Sequence, residues 1–458
     1  MMQRNLKLAW PVRLSVSPAD LWNWYRSGGD LLIFLAFSLA SSLFIGQDRV
    51  ISRGDFMYWM LTVPAVFFPA VRFRQTLDNL LFGRARLVGV FGVLATLAML
   101  WRHDYGLILP VVLIVWVTGW ACRDEIRINV RHLCGLTVTF YLTGIVLFCL
   151  QPPYSNFPWL MARYERAAGA DGLDLETFIP DQNRPGLNLN AWGILPHQTA
   201  PAFGVWRISV TPNIATSGLF ALLVVLMVLR RFSLKPLKVG TVVSSAYFAM
   251  LSFVRAVFLG LGIFLAAIAI MRVVKSPNWR VAAVLLMTVG VVAVTALSPS
   301  ILYLLQDWPI VSRMFLRGET GLSAADIYRQ AYRPWVWGEH VRLFWESPYL
   351  LGQGRDLAAS ASKSLINAGQ ARSDSVSFVT RLLATYGVAA FGMIFFIMER
   401  CIHHARRDDI WGAAMVAMIL FLMMSWGSLF HPTNGIYALA FLILGKGSQA
   451  IMDSEPGR

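Results

Sequence analysis

The sequence predicts an all-α polytopic membrane protein with about twelve transmembrane helices and two large loops on its outer face. Three observations carry this. The first is composition: 57% of the 458 residues are hydrophobic and 14% are charged, whereas soluble domains are nearer a quarter charged. The second is blocking. Apolar residues come in runs of about 15–22, each roughly one bilayer crossing, with short basic stretches between them. The third is charge placement. The formal charge of +15 gathers at the ends of the apolar runs, as membrane topology produces. No basic, aromatic-interleaved soluble segment is present to hold a polynucleotide, so the expected surroundings are a lipid bilayer and not nucleic acid.

The runs predict helices over residues 30–47, 56–71, 87–101, 106–122, 133–151, 214–229, 240–253, 256–271, 281–298, 376–398, 410–429 and 434–446. The chain stays polar until about Leu31. A signal peptide would place its apolar core earlier, so the first run is expected to be kept as a helix. The pair 240–253 and 256–271 reads as two short helices, because one long helix would strand Arg255 at mid-membrane. Lysine and arginine crowd alternate loops: Arg72, Arg74, Arg84 and Arg86, then Arg123, Arg127 and Arg131, then Arg230, Arg231, Lys235 and Lys238. The intervening short turns carry few, such as Arg102. That bias puts both termini in the cytoplasm. The chain thus divides into N-terminal helices (1–151), a first large loop (152–213), central helices (214–298), a second large loop (299–375) and C-terminal helices (376–458). Cys122, Cys134, Cys149 and Cys401 lie in or beside apolar runs with no CxxC spacing, which indicates neither a disulfide framework nor a zinc site.

The second large loop concentrates the residues that could do chemistry. Ser323 and Asp326 have the spacing of a helix start, and Pro334 suggests a kink or a new helix. On a continuous helix Arg329, Arg333, Trp337, His340 and Phe344 share one face, and Tyr328, Tyr332, Trp335, Glu339 and Arg342 the other. Such a segment reads either as an interfacial helix with solvated arginines or as a site for an anionic, lipid-linked substrate. Arginine suits a diphosphate because its planar fork donates two hydrogen bonds and stays charged. Glu339, His340 and Asp374 are the candidate bases. Arg207 stands a few residues before the helix at 214, with Asn213 at its expected N-cap. Arg255 either snorkels to headgroups or faces a charged ligand. No Walker loop, HExxH motif or GxSxG elbow occurs, and intramembrane carboxylates are scarce, which weighs against an ATP-driven pump, a zinc protease, a serine hydrolase and a proton-coupled transporter.

These residues carry a resemblance. Arg333-x3-Trp337-x10-Pro348-x3-Gly352-Gln-Gly354 resembles the signature of the O-antigen ligase and O-antigen polymerase (Wzy-type) superfamily, with one extra residue between the proline and the first glycine. Trp206-Arg207 with Pro212-Asn213 is similar to the family's Arg…Pro-Asn element, and Ser252-Phe-Val-Arg255 looks like its Ser-x-x-Arg element. The three fall in family order within about residues 200–400. Ligase members usually carry a His-Asn pair before the helix that follows the large loop. Here that place reads Arg372-Ser-Asp-Ser-Val-Ser377, which favours a polymerase.

The resemblance implies a GT-C-like, metal-independent glycosyltransferase of the bacterial inner membrane, without a cofactor. It would polymerise undecaprenyl-diphosphate-linked repeat units of O-antigen or exopolysaccharide at the periplasmic face, with a chain-length regulator and a flippase as candidate partners. Arg207, Arg255, Arg329, Arg333 and Arg342 would hold the diphosphate, Trp335 and Trp337 would stack on sugars, and Glu339, His340 or Asp374 would take the acceptor proton. The alternatives are a ligase acting on lipid A core or protein, a lipid-linked sugar flippase or other transporter, and a structural partner of a polysaccharide machine without activity of its own.

Overall fold

The structure is a computed structural model, described here for residues 18–44, 56–150, 194–196, 206–208, 214–251, 255–309, 311–312, 321–330, 333–354, 377–425 and 431–452. It is all-α in character, with short strand pairs only. The helices are α1 (Pro18–Trp24), α2 (Asp30–Phe44), α3 (Phe56–Val71), α4 (Phe73–Leu81), α5 (Arg86–Arg102), α6 (Ile108–Ala121) and α7 (Val130–Leu150). After the first large loop come α8 (Ile214–Arg230), α9 (Pro236–Leu251), α10 (Arg255–Val273), α11 (Pro277–Ala296) and α12 (Ser298–Leu304). In and after the second loop lie α13 (Ala324–Gln330), α14 (Arg333–Trp345), α15 (Phe378–Tyr386), α16 (Ala390–Arg406), α17 (Ile410–Ser425) and α18 (Gly435–Lys446). Strands β1 (Ile128–Asn129) and β4 (Ile451–Met452) pair in parallel, while β2 (Ile194–Pro196) and β3 (Trp206–Ile208) pair antiparallel.

Each apolar run of the sequence forms a helix, but few are long enough to cross a bilayer unaided. Among the described residues Ala256–Val273, Pro277–Ala296 and Phe378–Arg406 have the length and apolarity of a span, and α4 with α5, joined at 90°, makes a fourth if the bent pair is one crossing. The other apolar helices, such as Gly218–Arg230 and Ile410–Met424, have 10–17 residues. At 1.5 Å per residue these fall short of a hydrocarbon core about 30 Å thick. The break expected at Arg255 is present: α9 ends at Leu251 and α10 begins at Arg255.

The core centres on α18, in which every residue from Gly435 to Lys446 is buried. A helix buried on all sides has no use for a polar face, and this one reads Gly-Ile-Tyr-Ala-Leu-Ala-Phe-Leu-Ile-Leu-Gly-Lys. Helices α2, α6 and α17 surround it. Its one buried hydroxyl is satisfied, since Tyr437 Oη lies 2.6 Å from Thr118 Oγ1. Around this centre α8 packs on α9, α10 on α17, and α16 on both α5 and α17.

One end of the bundle is tied by charge. Asp30, fully buried, accepts from Arg123 Nη2 at 2.8 Å and from Trp120 Nε1 at 3.0 Å, with Arg72 Nε at 4.0 Å. Arg72 also faces the rings of Trp22 and Tyr25 at 5.2 and 5.1 Å, contacts that attract a cation. Arg84 pairs with Asp124 at 2.7 Å and donates to Gly445 O. The loop after α16 closes through Asp409, which pairs with His404 and accepts from the backbone N–H of Gly412 and Ser448. Burial alone would raise this carboxyl, but those hydrogen bonds outweigh it and hold Asp409 at about 2.

Candidate functional site

The opposite end of α5 holds the candidate site, and α14 is its main wall. The helix begins at Arg333 with Pro334 in its first turn, where proline's missing N–H costs nothing. The new helix that Pro334 suggested is therefore present. Before it, Asp326 N donates to Ser323 Oγ at 3.2 Å, the expected start of α13.

Helix α14 has two faces. Val336, Trp337, His340, Leu343 and Phe344 are buried, and the helix packs on α15. His340 is inaccessible to solvent, with Nδ1 3.1 Å from Thr380 Oγ1 of α15. Trp337, 6% exposed, belongs to the main hydrophobic core. The other face carries Glu339, Arg342 and Glu346. Arg342 donates to Glu339 Oε2 at 3.0 Å and to both oxygens of Glu346 at 2.8 Å. Hydrogen bonding from Arg342 holds Glu339 below the usual carboxylate range, so it is ionised. The two carboxylates in turn stabilise the charged form of Arg342. Trp345, 67% exposed, lies at the end of the helix.

The residues singled out in the sequence thus separate. Glu339 and Arg342 are joined in one exposed ion-pair chain. His340 and Trp337 face inward, where they fix α14 to the bundle. Arg333, Trp335 and Arg329 lie on α14 and α13. Arg207 is in β3, paired with Leu195, and β3 lies against α9. Arg255 is the first residue of α10. Asp374 falls outside the described residues.

Gly352-Gln353-Gly354 closes the site at the end of α15. The last turn of any helix leaves carbonyls without partners, and here they are filled one by one. Leu383 O accepts from Gly387 N, Ala384 O from Gln353 N at 2.8 Å, and Thr385 O from Arg102 Nη1 at 3.0 Å. Gly352 has φ 84°, and a Cβ there would stand 2.6 Å from both Gly387 N and Thr385 O. Gly354 has φ 80°, and a Cβ there would meet Asp104 Oδ2 at 2.6 Å. The two glycines are required by close backbone approach and left-handed φ.

Sequence reasoning missed the turn after α5, Arg102-His-Asp-Tyr105. Its arginine reads as a topological charge in a short loop, and only the fold brings it to the Gly352 segment. His103 sits in the left-handed region at φ 55° and ends α5 with bonds from its own N–H to Leu100 O and from Asp104 N to Met99 O, a Schellman arrangement that usually takes glycine. Tyr349 and Leu350 are also left-handed, at φ 53° and 57°. Among the described residues only Asp408 shares this conformation without being glycine. Strained backbone of this kind concentrates at functional sites. The rings of Trp101 and Tyr349 meet edge to face at 6.1 Å, and both are well exposed.

Comparison with protein-family models, with curated proteins and with solved structures finds no match.

Proposed function

We propose that this protein is a polysaccharide polymerase that joins lipid-diphosphate-linked oligosaccharide units at the outer face of a bacterial inner membrane. The observation that carries this reading is the rigid docking of one segment: Arg333 through Gly354, the stretch that resembles the O-antigen polymerase and ligase signature, is pinned along α15 and the end of α5 instead of hanging free. An arginine-bearing helix held there, at the end of an apolar bundle, would meet a substrate whose anionic head stands at the membrane surface. About twelve crossings with both termini cytoplasmic fit the gathering of Arg84, Arg123, Lys446 and their partners at the other end.

The reaction needs little acid help, because a lipid diphosphate is already a good leaving group. The acceptor hydroxyl oxygen attacks the anomeric carbon and the bond from that carbon to the diphosphate breaks. The lipid diphosphate departs with the bonding electrons, and the hydroxyl proton passes to a carboxylate, with inversion. Fixed guanidinium groups stabilise the charge that grows on the diphosphate; Arg333, Arg207 and Arg255 are assigned this work. Glu339 is the first choice of base, being ionised and partly exposed, though a proton must come to it in competition with Arg342. His340 is better read as a positioning residue through Thr380. The exposed Trp345 and Tyr349 suit sugar faces better than the buried Trp337.

The test is glycan profiling of a deletion strain complemented with wild type or Arg333→Ala at matched protein level. Single repeat units in both the deletion and the Arg333→Ala strains support polymerisation with α14 in the site. Polymer retained on its lipid carrier would identify a ligase instead. Normal polymer from Arg333→Ala removes α14 from the mechanism.

A further inference from the structure

Arg102 presents one side of its guanidinium to the protein and leaves the other side open. Nη1 donates to Leu351 O at 3.1 Å and to Thr385 O at 3.0 Å. Nε and Nη2 are buried and make no hydrogen bond. These two N–H groups lie along the same edge of the planar group. That edge is the one that takes two oxygens of a carboxylate or phosphate side by side. Folding normally satisfies buried charged donors, so an open pair facing the candidate site marks a missing partner.

The partner must be an oxyanion of modest size. The guanidinium is already fixed by two carbonyls, so little side-chain freedom remains to be lost on binding. Asp104 is the neighbouring carboxylate. It attracts the Arg102 charge, yet its Oδ2 lies against Gly354 and neither of its oxygens bonds the open edge. Left-handed backbone at His103, Tyr349 and Leu350 brackets the position, and the exposed rings of Trp101 and Tyr349 stand beside it. Charge, a bidentate edge and exposed aromatic faces together suit a sugar diphosphate better than a simple carboxylate.

We infer that the open edge of Arg102 is a binding site for the diphosphate of a lipid-linked sugar. The inference rests on the polymerase reading for the identity of the ligand, but the open edge itself does not. Arg102 is then a binding residue for the leaving group, held in place by the same carbonyls that end α15.

The test uses full-length protein in phosphatidylcholine nanodiscs, with undecaprenyl diphosphate and inorganic pyrophosphate as separate probes. Arg102→Lys keeps the charge and a donor for the Leu351 and Thr385 carbonyls but has no edge of two parallel N–H groups. It is expected to melt near wild type and to bind undecaprenyl diphosphate at least tenfold more weakly. Asp104→Asn leaves Arg102 anchored, removes a nearby negative charge and is expected to bind severalfold more tightly. Arg86→Gln, at the far end of α5, is expected to bind as wild type.

Wild-type affinity in a folded Arg102→Lys overturns the inference. If that variant does not fold, unchanged affinity in Asp104→Asn overturns it. Binding of pyrophosphate without binding of undecaprenyl diphosphate would assign the edge to a soluble anion and overturn the lipid assignment. Loss of undecaprenyl diphosphate binding in Arg102→Lys, with normal polymer in the deletion strain, upholds the site while rejecting the polymerase reading. Wild-type binding in Arg102→Lys, with single repeat units in the deletion strain, does the reverse.

Discussion

Gly387 is the position where one added methyl group should undo both the fold and the site. Its backbone is at φ 60° and ψ −136°, a region that only glycine occupies freely. Forcing alanine into it costs about 1–3 kcal/mol. The new Cβ would overlap Leu350 O and stand 2.5 Å from Gly352 N. These are backbone atoms in a seam closed by Gln353 N→Ala384 O and by Arg102 Nη1→Thr385 O, so they cannot give way as a side-chain tip could. Overpacking of this kind adds about 1–3 kcal/mol, and Gly387→Ala is expected to lose about 2–6 kcal/mol in all. The control is Gly338→Ala on the exposed side of α14, where nothing lies within 4 Å of the added carbon. There alanine should stabilise by about 0.5–1 kcal/mol. Both variants are read by thermal unfolding in detergent, with limited proteolysis to locate the damage near residues 350–354. A Gly387→Ala protein that melts with or above wild type would refute the claim that this seam is closed by backbone contact.

Three further outcomes follow from the same coordinates. Asp30→Leu removes the counter-charge of Arg123 and Arg72, whose side chains are 3% and 6% exposed; breaking a buried pair this way costs about 3–5 kcal/mol, whereas Asp408→Asn, on the exposed partner of Arg280, should cost no more than about 1 kcal/mol in the same melt. Equal losses in the two would show that the buried cluster is not under charge tension. Asp409 sits at about 2 when folded against about 3.9 unfolded; a depressed carboxylate contributes stability above its unfolded value and loses it as pH falls through the folded one, so the wild type should lose about 2–3 kcal/mol between roughly pH 5 and pH 2 that an Asp409→Asn protein never had. Parallel pH curves for the two would exclude the latch. Trp337→Ala should destabilise by about 3–5 kcal/mol, while Trp345→Ala should leave the melt within about 0.5 kcal/mol and shorten the glycan; the opposite ranking would reverse the assignment of core and sugar-facing aromatics.

Much of the helical architecture was legible because apolar runs bounded by basic residues carry their own boundaries. The break before Arg255 followed from the cost of a mid-membrane guanidinium, and the start of α14 followed from Pro334. The division of α14 into two faces also followed from period alone: Trp337, His340 and Phe344 share the buried stripe, and Glu339 and Arg342 the exposed one. What period could not supply was the sign of each face. A histidine and a tryptophan beside arginines look like site chemistry in a sequence, and burial turns the same two residues into packing. Arg102 was illegible for the converse reason. Its importance depends on carbonyls at Leu351 and Thr385, some 250 residues or more along the chain, and no local pattern announces a contact made at that separation.

The Gly352-Gln-Gly354 motif illustrates how a signature can mark a site without touching the substrate. A glycine-rich turn invites the reading that its N–H groups cradle a phosphate. Here the N–H of Gly352 is taken by Ser347 Oγ at 3.0 Å and that of Gln353 by Ala384 O at 2.8 Å, so neither is free to meet an anion. Their glycine character serves the close approach of two backbones, and its product is the placement of Arg102. With Thr385 O and Leu351 O holding one nitrogen, the guanidinium cannot rotate to present a different edge. The charge that a departing diphosphate would need is therefore set by the seam, and a substitution in either glycine should act on binding through Arg102 even though no glycine atom is near the ligand.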